Sequence, residues 1–175
     1  MDSIAHGPIS SRVQRILEGN DPELIAEMPS GYAILGKFQP DPINGCCMLL
    51  PRLGGSGVVV SSPNDLDEPT RAQFFADLTL LGDAIIEATG SERINYLVLC
   101  NQVPELHGHC VPRFATEDPE KRKQGPFEAY DFAHHGLRTH RATIANSTPH
   151  SARRSCDFSP SERDDVVGRT LVYLG

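Results

Sequence analysis

The stretch from Asn64 to Gly90, NDLDEPTRAQFFADLTLLGDAIIEATG, is the strongest structural signal in the chain. Asp67 suits an N-cap, because a short carboxylate just ahead of a helix accepts from an early backbone N–H; Pro69 suits the first turn, where a missing N–H is no loss. Phe74, Leu78, Leu81, Ile85 and Ala88 recur at helical spacing and form one apolar face, and Gly90 suits the left-handed residue that ends a helix. A helix this long with one apolar face has to lie on an apolar surface, and its neighbours supply one. GYAILGKF and CCMLLP read as strands joined by the turn-rich QPDPING, GVVVSS as a short third strand, and RINYLVLC and LHGHCVPRF as two more beyond the helix. Strands, one long helix, then strands predict an α+β domain: an antiparallel sheet with the long helix covering one face. Two short N-terminal helices precede it. ISSRVQRILEGN carries Ile9, Val13, Ile16 and Leu17 at helical spacing before a Gly-Asn stop, and DPELIAEM opens with Asp21 as a cap and Pro22 in the first turn.

Length and charge narrow the functional classes. A chain of 175 residues favours one domain plus a terminal segment, read here as residues 1–131 and a C-terminal extension over 132–175. The formal net charge of −7 argues against a stable nucleic-acid complex, which would show a basic excess. No apolar run is long enough for a bilayer, the N-terminus lacks the pattern of a signal peptide, and five cysteines without framework spacing suggest free thiols in a reducing cytoplasm. The extension has its own character. From Phe132 to Cys156 it holds no Asp or Glu, but it has four arginines (138, 141, 153 and 154) and four histidines (134, 135, 140 and 150). Its polar, weakly apolar composition reads as a partly disordered tail; its charge would also suit a flap touching a phosphate-bearing ligand. Ser159 with Glu162 matches a capping box, so a short helix is expected over 160–168.

Chemistry concentrates in NQVPELHGHCVPRF, residues 101–114. On a strand, Glu105, His107 and His109 point one way while Leu106, Gly108 and Cys110 point the other. Three proton-exchanging groups on one surface are expensive to bury without partners, so a wet cleft holding a ligand is the economical explanation. Two histidines one residue apart could ligate a metal, with Glu105 or Glu117 as a further ligand, but the usual metal spacings are absent. They could serve nucleophilic catalysis on phosphorus, with one imidazole attacking and its neighbour donating hydrogen bonds. They could bind an anion as imidazolium groups, or be two unremarkable histidines on a surface strand.

ELHGHCVPRF resembles the active-site strand of the histidine-triad (HIT) family, whose pattern is His-x-His-x-His followed by apolar residues and often Pro-Arg. PINGCCMLLPR looks like the strand that precedes it in that family, and the long helix followed by INYLVLCN falls in the family's order. The resemblance covers roughly residues 30–131. It is nearest to a bacterial diadenosine-tetraphosphate-hydrolase-like subgroup with a His-Ala-His motif and a downstream Tyr-Asp, matched here by Tyr130 and Asp131 in GPFEAYDF. It implies that His107 attacks the α-phosphate of a nucleotide to form a covalent nucleotidyl-histidine, that His109 contacts the phosphate oxygens, and that the reacting centre needs no metal or other cofactor. It also implies a two-fold homodimer, and the long helix carries Phe75, Leu80 and Ile86 beside its main apolar face, more apolar surface than one sheet contact requires.

The departures from the pattern bear on the substrate. Glu105 stands where the first histidine of the triad would be; a carboxylate there repels an anionic substrate unless it points aside or orients His107. The loop before the motif is only NQVPE, leaving Asn101 and Gln102 as candidates to touch ribose or phosphate, and Gln39 is the polar candidate where many members carry a ribose-binding acid. Arg113 is a candidate phosphate ligand, although an arginine after a strand-ending proline is more often a surface charge, as for Arg52. The expected function is hydrolysis or nucleotidyl transfer at a phosphoester or phosphoanhydride of a diadenosine-polyphosphate-like nucleotide. The rival is a nucleotide-binding or regulatory protein that kept the fold and turns over little.

Overall fold

The computed structural model describes residues 7–52 and 60–132. Helix α1 (Pro8–Leu17) leads into strands β1 (Leu24–Met28), β2 (Gly31–Leu35) and β3 (Cys47–Pro51). The long helix α2 (Glu68–Thr89) follows, then β4 (Arg93–Leu97), β5 (Gly108–Arg113) and a short helix α3 (Pro126–Ala129). The strands make one antiparallel sheet in the order β1-β2-β3-β5-β4. This is the α+β arrangement expected, with the long helix over one face.

The ends of α2 follow the local signals. The Asp67 carboxylate accepts from the Thr70 N–H at 2.8 Å, and Gly90 closes the helix with φ 67°. Its apolar face, Phe74, Leu78, Leu81 and Ile85, packs on Ala33, Leu49, Cys47 and Cys110 from the sheet. On the opposite face α1 sets Ile9, Val13 and Ile16 against Tyr32, Ile34 and Leu50. Farther along that face Ile43, Cys46, Val111 and Tyr130 form a third cluster, with Phe132 packed against it. Among the described residues no helix is long and apolar enough to cross a membrane.

Two elements differ from expectation. DPELIAEM is not a second short helix: Leu24–Met28 is the edge strand β1, paired with β2 across a tight connection at Pro29-Ser30. Four or five residues cannot repay helix nucleation by themselves, whereas a neighbouring strand satisfies their backbone at once. Asp21 does accept from the Glu23 N–H, as a cap would, but its carboxylate also holds Arg12 of α1 at 2.8 Å. The first half of the GVVVSS run lies outside the described residues, and its described half, Val60 to Ser62, is not strand. Except for Phe132, the C-terminal extension, with its expected helix over 160–168, also lies outside them.

Candidate active site

The sheet's alternation places the histidines. β5 begins only at Gly108, but the expected faces hold on both sides of that boundary. Leu106 and Cys110 are fully buried beneath α2, and a side chain on Gly108 would run into Leu78 of that helix. Glu105, His107 and His109 therefore belong to the other face, where Met48 pairs with His109 on one side and Leu97 on the other. That face is covered by α1 at one end and by the α3 segment at the other, so the imidazoles lie between two lids of apolar packing.

His107 is 7% exposed, and its Nδ1 lies 2.8 Å from the Glu105 carbonyl oxygen. A carbonyl only accepts, so Nδ1 carries the proton and Nε2 keeps its lone pair. The His109 ring meets His107 edge to face, with centroids 4.8 Å apart, and meets Phe127 of α3 in the same way at 5.1 Å. Phe127 in turn packs against Phe132 at 4.7 Å. Burial, with the neighbouring His107 adding to it, pushes the His109 pKa down to about 4. The second imidazole is thus neutral near pH 7 in the unliganded protein, which counts against the reading of both rings as imidazolium groups for an anion.

His109 also lines a small cavity of about 120 Å³ with Lys37, Phe38, Met48, Phe127 and Phe132. Lys37 forms no ion pair with another described residue; its Nζ sits 5.7 Å from the Phe38 ring centroid. Sequence reasoning missed these aromatic and cationic neighbours. GPFEAYDF was in view for Tyr130, but nothing local says that Phe127 reaches a histidine eighteen positions earlier. A larger cavity of about 790 Å³ lies beside β4, lined by Arg93, Arg122 and Lys123 among others. Those three cations are paired with Glu92 or Glu120, so that cavity lacks a free charge to attract an anion.

The other expected site residues divide clearly. Asn101 and Gln102 are exposed on the β4–β5 loop and hydrogen-bond to no other described residue, so they remain available to a ligand. Gln39 has no such freedom. Its Nε2 donates to the Gly36 and Cys46 carbonyls at 2.7 and 2.8 Å, and its Oε1 accepts from the Gly45 and Cys46 N–H groups, so it braces the β2–β3 loop. Arg113 is 2% exposed and uses all five of its N–H groups internally, on Glu117, Asn95 and the carbonyls of Lys121 and Gln124. Burial pushes the Glu117 carboxyl up, but hydrogen bonds from Arg113, the Phe114 N–H and Tyr130 outweigh it and hold it below the ordinary range. Tyr130 packs as part of the third cluster, its hydroxyl on Glu117 at 2.8 Å, and burial with that bond pushes its pKa up to about 12. Arg52 is likewise held by Glu27, Tyr32 and two backbone carbonyls.

Glu105 points aside. Its carboxylate is 5% exposed as a residue and accepts from the backbone N–H groups of Ile9 and Ser10 at 2.8 and 3.0 Å, at the start of α1. Its charge is directed at the positive end of a helix, so the expected repulsion of an anionic ligand has little to act through. With Glu105 and Glu117 both engaged, neither carboxylate stands free to complete a metal site with the histidines, and among the described residues no group of three or more His, Cys, Asp or Glu is placed to hold an ion.

No family model and no curated protein matches this chain. Solved structures do. A histidine triad protein from Bradyrhizobium japonicum is 25% identical with a TM-score of 0.47; the match covers 54% of this chain and 66% of that one, just under two thirds of its length. A hypothetical histidine triad nucleotide-binding protein from Sulfolobus tokodaii is 20% identical with a TM-score of 0.50, over 66% of this chain and 76% of that one. A Streptococcus mutans protein is 22% identical with a TM-score of 0.51, over 66% of this chain and 71% of that one. The last two likenesses establish the fold alone, and the Sulfolobus tokodaii structure identifies that architecture as the one histidine triad proteins have.

Proposed function

We propose that this protein binds a nucleotide between α1 and the α3 segment and cleaves it at phosphorus through His107, in the manner of the diadenosine-polyphosphate hydrolases its sequence resembles. The observation that carries the reading is the Nδ1 contact of His107 to the Glu105 carbonyl at 2.8 Å, which leaves Nε2 as the nucleophilic nitrogen. In the first step the Nε2 lone pair forms a bond to the α-phosphorus, and the bond from phosphorus to the leaving oxygen breaks. In the second, water attacks the nucleotidyl-imidazole, the P–N bond breaks, and a proton is lost to solvent or base. His109, edge-on to His107, supplies an N–H to the phosphate oxygens. Lys37, at the same cavity, is a free cation for further phosphate charge, and Phe38, Phe127 and Phe132 offer ring faces and edges to a base. Asn101 and Gln102 are the free polar groups for ribose or phosphate.

The test is His107→Ala. Turnover of diadenosine polyphosphates and simpler nucleotide anhydrides should fall by roughly three orders of magnitude or more, with the fold retained. Brief incubation of the parent protein with radiolabelled nucleotide should leave an acid-labile label that this variant lacks; undiminished turnover in the variant would sink the mechanism.

A second reading, a nucleotide-binding protein with little turnover, has one observation in its favour. A His109 whose pKa is about 4 holds no positive charge where charge must be stabilised, unless the bound phosphate restores it. Tight binding with no label and no product would select that reading.

A further inference from the structure

The first turn of α1 has an unusual donor arrangement. Its N-cap, Gly7, has no side chain to cap with, and its first turn holds no acidic residue. Pro8 has no N–H, and the Ser11 N–H is already bonded to the Gly7 carbonyl at 3.0 Å. The remaining two donors, on Ile9 and Ser10, both go to Glu105, about ninety-five residues away in the chain. One carboxylate thus completes the helix's unpaired donors from across the fold.

The same residue's carbonyl is the acceptor for His107 Nδ1. Its direction depends on how residues 105 and 106 are held, since β5 and its ladder begin only at Gly108. They are held from both sides of the sheet. The Glu105 side chain is anchored in α1; the Leu106 side chain is fully buried in the α2 core, and its N–H donates to the Val60 carbonyl at 2.6 Å. Removing the carboxylate leaves the backbone at 105 anchored from one side only.

We propose that Glu105 is a positioning residue, whose carboxylate, locked on the first turn of α1, aims its own carbonyl at His107 and so sets that ring's tautomer and orientation. α1 is then part of the catalytic apparatus through the backbone N–H groups of its first turn. The proposal rests on His107 being the nucleophile, but the tautomer is readable without substrate or turnover.

Gly7 provides a second route to the same contact. It has φ −75°, which any residue adopts, so alanine is compatible with its backbone, yet a Cβ there would collide with the Glu105 carboxylate. Gly7→Ala therefore displaces the carboxylate while leaving its chemistry intact.

The experiment uses the full chain labelled with 15N at histidine, with ring-nitrogen shifts read at a pH where His107 is neutral. The parent protein should show His107 as one tautomer with the proton on Nδ1. Glu105→Ala and Gly7→Ala should show averaged tautomers, and their kcat should fall about 10–100-fold with KM nearly constant. Glu105→Gln, whose amide oxygen accepts one of the two N–H groups, should recover most of both properties. Folded Glu105→Ala or Gly7→Ala protein that keeps the parent tautomer, or that shifts tautomer with kcat unchanged, would overturn the proposal. Should Glu105→Ala fail to fold, Gly7→Ala and Glu105→Gln decide it. Should the parent protein turn over no nucleotide, the proposed function fails, while the tautomer comparison still decides whether Glu105 orients the ring.

Discussion

At the scale of single residues, burial determines which polar groups are free to act. His109 is held neutral, so it affects stability with a definite sign. The unfolded chain takes up its proton below about pH 6.5, the folded chain only near pH 4. Between those values the unfolded state binds more protons, so the stability present in full above pH 6.5 is lost as pH falls towards 4. The loss should amount to about 2 kcal/mol, somewhat less than the full shift because the ring is not wholly desolvated. Urea melts at pH 7 and pH 4.5 should show a smaller difference for His109→Gln than for the parent; equal differences would mean the ring is open to water. Arg113 makes the opposite case, a candidate ligand turned structural. Arg113→Ala leaves the Glu117 carboxylate buried beside Tyr130 without its cation, and should cost about 3 kcal/mol in a denaturant melt. Nucleotide affinity measured where the variant is still folded should barely change; a large selective loss of affinity would show that Arg113 reaches the ligand.

At the scale of elements, the decisive contact is α2 on β5. The resembled subgroup has alanine between its two histidines, and this chain has Gly108. A Cβ at Gly108 would come 2.7 Å from Leu78 Cδ1, closer than van der Waals contact allows. Gly108→Ala should therefore lower stability by about 1–3 kcal/mol, by pushing the motif off the helix. Leu78→Ala, a cavity mutation, should cost about 2–5 kcal/mol alone. Together the two changes should cost clearly less than their sum, because the new methyl fills part of the space that Leu78 vacates. A strictly additive double-mutant cycle in thermal unfolding would show that β5 shifts rather than clashes. The elements also mark where local reading succeeds. The caps and apolar face of α2 were legible because their partners lie within one helical repeat of each other. β1 was not, because Leu24–Met28 is a strand by virtue of β2, and Asp-Pro-Glu at its start imitates a helix cap.

At the scale of the molecule, β4 is an edge strand of the described sheet, and apolar side chains remain exposed around it and on α2: Tyr96, Leu99, Phe75 and Ile86. An open edge next to exposed apolar side chains invites association, and a two-fold pairing would cover both at once. Light scattering should give twice the mass of the 19.1 kDa chain. Phe75→Glu combined with Ile86→Glu should return it to the monomer mass, and a parent protein that is already monomeric would remove the pairing altogether.

The sequence alone determined whatever depends on periodicity and near neighbours: the α+β order of elements, α2 with its two ends, and the alternation that puts Glu105, His107 and His109 on one face and Leu106, Gly108 and Cys110 on the other. Periods of 3.6 and 2 are properties of the chain itself, so they can be read before anything is folded. Only the tertiary structure decided what each polar side chain does on that face. Gln39 and Arg113 are satisfied inside the protein, Phe127 comes to rest on His109, and Glu105 turns from an expected ligand-facing charge into a brace for α1. A buried polar atom takes the partner that the packed fold brings within hydrogen-bond reach, and for Glu105 that partner lies about ninety-five residues away.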